Sequence, residues 1–472
     1  MNEKAKSIIK NLYYTVAANF ATLGISVLLN LFVPKLLGVT EYSYWQLYVF
    51  YSSYVGFLHF GLIDGIYLKI GGEEYENLDK RNLGSQFWYL TFFEIIISIG
   101  VIIWANFALA ANNKSLILMM TAVVSVITIA KTYVLYIFQT TNRIKEYAQL
   151  SRGDRYIYLV MVGVYFVLGG RNFIWLIFMD ILSKLIMTIW GMIRISDMLT
   201  SGVTNLKKII PDILDNINIG SKLMLSNVAS MFIIGSIRFF VEKKWSIEVF
   251  GKLSFTLSIS NMFLTFINAI GVVMFPLLRR TNQEKLPSLY LTLRELFVPL
   301  TYFVLIAYGP ARYILSLWLP EYTQSLMFMG MLFPIVVYEG RMALLVNTYL
   351  KTLRKEKTIL FVNLITLIVT ILASLFIIFI IGNLNLAVIL IIFSLGFRCN
   401  FAEFLLSKSI DINLGKDQLI ESLLTIIFIT ANLFLPIWQS VLTYVLSFMV
   451  FLFIFRKKIK RSFSSFRLLL KG

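Results

Sequence analysis

Apolar residues in this chain run in long stretches separated by short, often basic, turns. A helix needs about 20 mostly apolar residues to cross a bilayer. Fourteen candidates follow one another: 12–33, 43–68, 84–110, 115–139, 156–169, 172–193, 219–242, 249–277, 289–310, 325–350, 358–381, 385–407, 418–436 and 439–455. The fifth, "YIYLVMVGVYFVLG", is the shortest. Only helices and closed barrels satisfy the backbone inside lipid, so the pattern predicts an all-α polytopic membrane protein with about 14 transmembrane helices. The loops around "LSLWLPEYTQS" and "EKKWSIEVF" are too short to fold as domains. The largest inner connection, 194–219, reads as an amphipathic surface helix.

Composition agrees. Of 472 residues, 58% are hydrophobic and 14% charged, which excludes a soluble domain. Lys and Arg gather in alternate loops and in the tail after 455, and such residues accumulate on the cytoplasmic side; both termini are therefore expected in the cytoplasm. The formal charge of +18 is accounted for by topology and anionic headgroups and calls for no nucleic acid. One cysteine, Cys399, excludes an intramolecular disulfide and a cysteine-based metal cluster. No small-residue cleavage site follows the basic N-terminus, so the first span is expected to act as its own insertion signal.

A repeat organises the spans. Aligning Lys145-Glu146 with Lys355-Glu356 places Lys131 on Arg341; setting Lys184 on Arg398 also sets Arg194 on Lys408 and Asp197 on Asp411. "FVPK" at 32–35 echoes "FVEK" at 240–243. Each link lies six spans apart, which predicts two pseudo-symmetric six-helix lobes of like orientation: 1–195, then a cytoplasmic connection at 196–218, then 219–410. Spans 13–14 and the basic tail, 411–472, are an addition.

The repeat also aligns charges. Lys131, Lys184, Arg341 and Arg398 each lie about ten residues from a cytoplasmic span end, about 15 Å deep and near the midplane of a core about 30 Å thick. A charge there costs about 2.5–3.5 kcal/mol on insertion scales, so these side chains must meet protein, water or an anion. Asp180 precedes Lys184 by one helical turn, and Glu94, Glu339 and Glu403 lie at comparable depth, so internal pairing is one reading. The other, preferred for Lys131, Arg341 and Arg398, is a solvated cavity open to an anionic substrate; for Lys184 the two stand level. In that second reading, neutralising a midplane cation leaves insertion intact. Arg238, close to Lys243 and one turn before Glu242, reads first as a snorkelling anchor and second as a fifth cavity cation. Asp180, Glu94 and Asp64 are candidates for ion or proton coupling. His59 reads as a hydrogen-bonded packing residue, and Tyr42, Tyr44, Trp45, Trp245 and Trp318 as interfacial belts. No metal set or cofactor is implied.

The stretches "LFVPKLLGVTEYSYWQLY", "FGLIDGIYLKIGG", "FQTTNRIKEYA" and "FFVEKKWSIEVFGKLSF" resemble the Wzx-type polysaccharide flippases of the multidrug/oligosaccharidyl-lipid/polysaccharide (MOP) exporter superfamily. The placement of Pro34, Gly38, Glu41, Gly61, Asp64, Gln139 and Asn142 carries the resemblance over most of spans 1–10; Ser43 stands where such proteins often have glycine. The resemblance implies two six-helix lobes around a V-shaped alternating-access cavity with basic residues, here by position Lys131, Lys184, Arg341 and Arg398. It also implies a substrate, undecaprenyl diphosphate-linked oligosaccharide flipped to the outer leaflet of a bacterial cell membrane for surface polysaccharide synthesis. Membrane lipids, and polymerase and chain-length proteins of the same pathway, would be partners. A cation or multidrug antiporter of the superfamily is the second reading, but it would want an acidic cavity. A polysaccharide polymerase would need catalytic side chains on a large outer loop, so the chain is not expected to be an enzyme.

Overall fold

The computed structural model describes residues 24–108, 112–279, 286–323 and 325–469; for 265–279 and 466–469 only the backbone is described. Every described element is helical. In chain order the main helices are α1 (Gly24–Leu37), α2 (Val39–Ser52), α3 (Leu62–Lys69), α4 (Lys80–Ala108), α5 (Asn113–Thr140), α6 (Ile144–Val167), α7 (Phe173–Arg194), α8 (Leu206–Lys244), α9 (Ile247–Arg279), α10 (Leu286–Trp318), α11 (Ser325–Thr352), α12 (Glu356–Ile381), α13 (Leu384–Ser409), α14 (Gly415–Phe434) and α15 (Ile437–Leu469). Ten of them, α4, α5, α7, α8 and α10–α15, are long and apolar enough to cross a membrane. The other four expected spans fall on α1, a shorter apolar helix, on the α2–α3 segment, on α6 and on α9. The first span begins at 12, outside the described residues.

The chain divides into two compact units, 1–228 and 229–472, with the boundary inside α8. The expected surface helix in the connection is only partly separate. A short turn of helix, Ser196–Leu199, is followed by α8, whose 39 residues join the end of the connection to span 7 without a break.

In unit 1 the second expected span is broken. After α2 come a 3-10 turn, Val55–His59, then Phe60 at φ 51° and Gly61 at φ 90°, then α3. Gly61 is required twice over: its φ is open to few other residues, and a Cβ there would stand 2.7 Å from the Ser221 amide nitrogen. A Cβ on Gly65 would overlap the Asn216 carbonyl, and one on Gly220 would overlap Gly61. α3 and α8 thus meet backbone on backbone through small residues, as membrane helices do where lipid is as apolar as leucine and close contact must supply the attraction. His59 is buried, and its Nδ1 accepts from the Gly61 N–H at 3.0 Å. Irregular backbone at this depth survives only when enclosed by protein, and the α8 contact supplies part of the enclosure.

Unit 2 is arranged around α11, 89% of whose apolar window is buried. Pro334 interrupts it between Leu332 and Ile335, and a π turn, Met342–Val346, follows Arg341 directly. Helices α14 and α15 are bonded to α10 within this unit: the Tyr302 hydroxyl of α10 donates to the Glu421 carbonyl at 2.7 Å, and the Tyr444 hydroxyl of α15 donates to the Tyr302 carbonyl at 2.8 Å.

Candidate functional site

Unit 1 gathers two lysine–aspartate pairs. Lys131 on α5 meets Asp154 on α6 at 2.7 Å, and Lys184 meets Asp180 one turn earlier on α7 at 2.5 Å. The Tyr48 hydroxyl of α2 donates to the same Asp180 oxygen at 2.7 Å. Aromatic rings adjoin them: Trp45 lies 5.5 Å from Tyr48 and stacks on Tyr158 at 5.8 Å. The pairs are not sealed. Side-chain exposure is 11% for both Lys131 and Asp154, and 22% and 18% for Lys184 and Asp180. Each ammonium has three donors, and one carboxylate does not exhaust them.

Unit 2 is built differently. Arg341 on α11 is fully buried; its Nη1 donates to Glu421 on α14, its Nη2 to Asn400 Oδ1 at 2.6 Å, and its Nε to Cys399 Sγ at 3.0 Å. Arg294 on α10, also buried, donates from Nε to Glu403 Oε1 at 2.7 Å and from Nη2 to Glu421 Oε2 at 2.9 Å. Glu403 further accepts from Tyr290 at 2.7 Å and Gln418 at 2.9 Å. The result is a closed lattice of two guanidiniums and two carboxylates tying α10, α11, α13 and α14 together. Arg398 is held by a two-pronged contact to Glu339, at 2.6 and 2.7 Å, and by Ser230 at 2.8 Å.

The four midplane cations therefore all sit in ion pairs. The pair expected between Lys184 and Asp180 is present, and Glu339 and Glu403 pair as their depth allowed. The solvated surroundings expected for Arg341 are not found: four neighbouring side chains enclose it. Arg398 is 4% exposed and clamped, although its partner Glu339 remains 24% open at the side chain. Lys131 is paired but keeps a partly open edge. With such pairs, neutralising one member strands the other, so the enclosure of Arg341 argues against insertion surviving its neutralisation. Arg238 is half-buried, donates to Ser254 at 2.9 Å and lies over the Phe250 ring at 5.2 Å; both contacts suit an anchor.

Of the three coupling candidates, Asp180 is the partner just described. Asp64 opens α3 after the break, with His59 Nε2 at 3.8 Å. Glu94, on α4, is buried, and neither carboxylate oxygen has a hydrogen-bond partner among the described residues.

The units also differ in where the partners come from. At the offset that sets Lys131 on Arg341, Asp154 falls on Leu364; at the offset that sets Lys184 on Arg398, Asp180 falls on Ser394. Unit 2 thus lacks both acids at the related positions and draws carboxylates from α11, α13 and α14 instead. Sequence reasoning missed Asp154, Arg294 and Glu421. Asp154 was read as a loop charge because α6 starts twelve residues before the fifth apolar run, whereas Arg294 lies inside the ninth run, 289–310, and was passed over there. Trp45 and Tyr42, expected at an interface, are buried, at 9% and 1% exposure.

No family model and no curated protein matches the chain by sequence. Solved structures match by shape. An inward-facing multidrug resistance MATE family transporter of the MOP superfamily superposes with a TM-score of 0.61 at 11% identity, over 82% of this chain and 96% of that one. The lipid II flippase MurJ in an inward closed conformation gives 0.57 at 12% identity, over 96% and 99%. A MOP superfamily transporter from Pyrococcus furiosus, described as having a binding pocket of reversed polarity, gives 0.52 at 13% identity, over 85% and 96%. The chain has the fold of MOP superfamily transporters.

Proposed function

We propose that the protein is a flippase that carries an undecaprenyl diphosphate-linked oligosaccharide from the cytoplasmic to the outer leaflet by alternating access, for the synthesis of a cell-surface polysaccharide. The observation that carries this reading is the unit 1 cluster: two lysines, each in a partly exposed pair with one aspartate, beside the rings of Trp45, Tyr48 and Tyr158. Ammonium groups attract a diphosphate, and the buried rings of Trp45, Tyr48 and Tyr158 back the pairs, with the Tyr48 hydroxyl holding Asp180 in place. The shared fold with a lipid II flippase supports the class of cargo. In this reading Lys131 and Lys184 touch the headgroup, Arg398 and Arg238 are secondary contacts, and Arg341 holds unit 2 together.

A cation antiporter is the second reading, and Glu94 favours it, because a buried carboxylate without a partner is costly and offers a place for a proton or cation. The test is surface glycan per unit of membrane-inserted protein for Lys131→Ala, Lys184→Ala and Glu94→Gln. Loss in the two lysine variants at normal protein level supports the flippase; full export in both overturns the cationic headgroup site. Loss confined to Glu94→Gln would favour the antiporter.

A further inference from the structure

The first three turns of α8 carry two opposed faces. On one, Asp212 accepts from Asn82 at 2.5 Å, Asp215 pairs with Lys69 at 3.0 Å, and Asn216 donates to Gln86 at 2.9 Å, latching the segment to the start of α4 and the end of α3. On the other, Leu206, Ile210, Ile213 and Ile217 repeat at helical spacing and form one wall of an apolar groove of 550 Å³. The opposite wall is the α4 surface from Tyr89 to Ile96, about 10 Å of helix. The end of the groove is closed by the broken second span, where left-handed Phe60 turns its ring out to 47% exposure, 6.1 Å from the Phe93 ring. The volume lies within the range of small-molecule pockets. Its walls are fixed, because the polar latch and the glycine contact between α3 and α8 hold the segment in place.

The chemistry at the mouth names the occupant. The Trp88 indole N–H donates to the Leu199 carbonyl at 3.0 Å and the Tyr89 hydroxyl to the Thr204 carbonyl at 2.9 Å. Trp and Tyr settle at headgroup level, so these bonds set the loop before α8 at the membrane surface. Lys207 and Lys208 follow at once, exposed and in no ion pair among the described residues. Lys208 shares a face with Asp212 and Asp215, whose carboxylates are engaged by Asn82 and Lys69, and Lys207 lies between that face and the apolar one, both at the first turn beside the mouth. A positive mouth over an apolar trough matches an amphiphile with an anionic head. We propose that the groove is a binding site for an anionic phospholipid of the leaflet on that side, one acyl chain lying between α4 and α8 and its phosphate on Lys207 and Lys208. A second protein helix fits less well, since it would have to bring its own acids to meet the lysine pair.

The test uses the full chain purified in detergent from mixed phosphatidylglycerol and phosphatidylethanolamine membranes, with native mass spectrometry to count retained lipid. Wild type is expected to keep one phosphatidylglycerol in preference to phosphatidylethanolamine. Lys207→Gln with Lys208→Gln, at exposed positions that leave packing intact, should cut that preference roughly tenfold to thirtyfold, the effect of losing two basic contacts with an anionic surface. Ile210→Trp, which fills the trough, should remove the bound lipid, whereas Val164→Trp, on exposed apolar surface of α6, should not. An unchanged preference in the lysine variant would overturn the proposal, as would equal lipid loss in the Ile210 and Val164 variants.

Discussion

The cations of unit 1 and unit 2 that the sequence alignment sets on one another are held in different ways. Lys131 and Lys184 each face a single aspartate with part of the pair open, whereas Arg341 is enclosed by Glu421, Glu403, Asn400 and Cys399 and backed by Arg294. Residue type follows from this. Arginine offers five donors in a fixed fork and keeps its charge in any surroundings, so it suits a closed lattice; lysine is a mobile point charge that can leave one anion for another. Similar depth along the helices is therefore compatible with different surroundings, a closed lattice in one unit and partly open pairs in the other.

The largest expected effect tests cohesion. Arg341→Ala removes the bridge between two buried carboxylates, and breaking a buried pair by deleting one partner costs about 3–5 kcal/mol. We expect a sharp fall in the melting temperature of the detergent-solubilised protein and in the amount inserted. Arg341→Ala as stable as wild type would dissolve the contrast between the units. Lys131→Ala should lose less, about 1–2 kcal/mol, because its pair is partly open to solvent.

Next in size is the backbone contact of unit 1. Gly65→Ala must push α8 away from α3, and overpacking costs about 1–3 kcal/mol. Gly100→Ala, on α4 where a Cβ meets nothing within 4 Å, should leave the melting temperature unchanged or raise it slightly. Equal effects at the two glycines would remove the close contact as a stabilising feature.

The smallest effect on stability, and the sharpest on accessibility, concerns thiols. Cys399 is buried beside Arg341 and should resist a membrane-impermeant maleimide in the folded protein, while a cysteine at Lys184 should react in at least one orientation of the membrane. Because the native thiol is silent, single cysteines at exposed Asn113, Asn383 and Lys357 also read topology: the first two should label from outside intact cells and the third should not. The opposite pattern would reverse the orientation drawn from the basic loops.

How much of this was legible follows the physics of each signal. The spans were, because a run of apolar residues is a local property: α5, expected over 115–139, is Asn113–Thr140. Helix ends that carry charge were not. Asp154 lies in a helical turn that hydropathy assigns to a loop, Arg294 lies just inside an apolar run, and the partners of both sit on other helices, so nothing local marks them. Glu403 and Glu339 were visible as midplane acids, but which arginine each would meet depends on which helices pack together. The glycine contact was present in the sequence as "GLIDG", where spacing alone could not show that Gly220 lies opposite.

The lattice around Arg341 has a consequence for synthesis. Arg294 is made 127 residues before Glu421, so at about 5–20 residues per second its guanidinium waits roughly 6–25 s for its last partner. Glu403 follows Arg294 by 109 residues, so for most of that interval the arginines of α10 and α11 are in the membrane, or at its edge, without these anions, and for the rest they share Glu403 alone. Completion of α14 is thus the event that allows unit 2 to close, and quality control has a natural window before it. We predict that a chain released after Ser409 is degraded faster than one released after Phe434; equal half-lives in a pulse-chase would show that the late carboxylate is not what the earlier helices await.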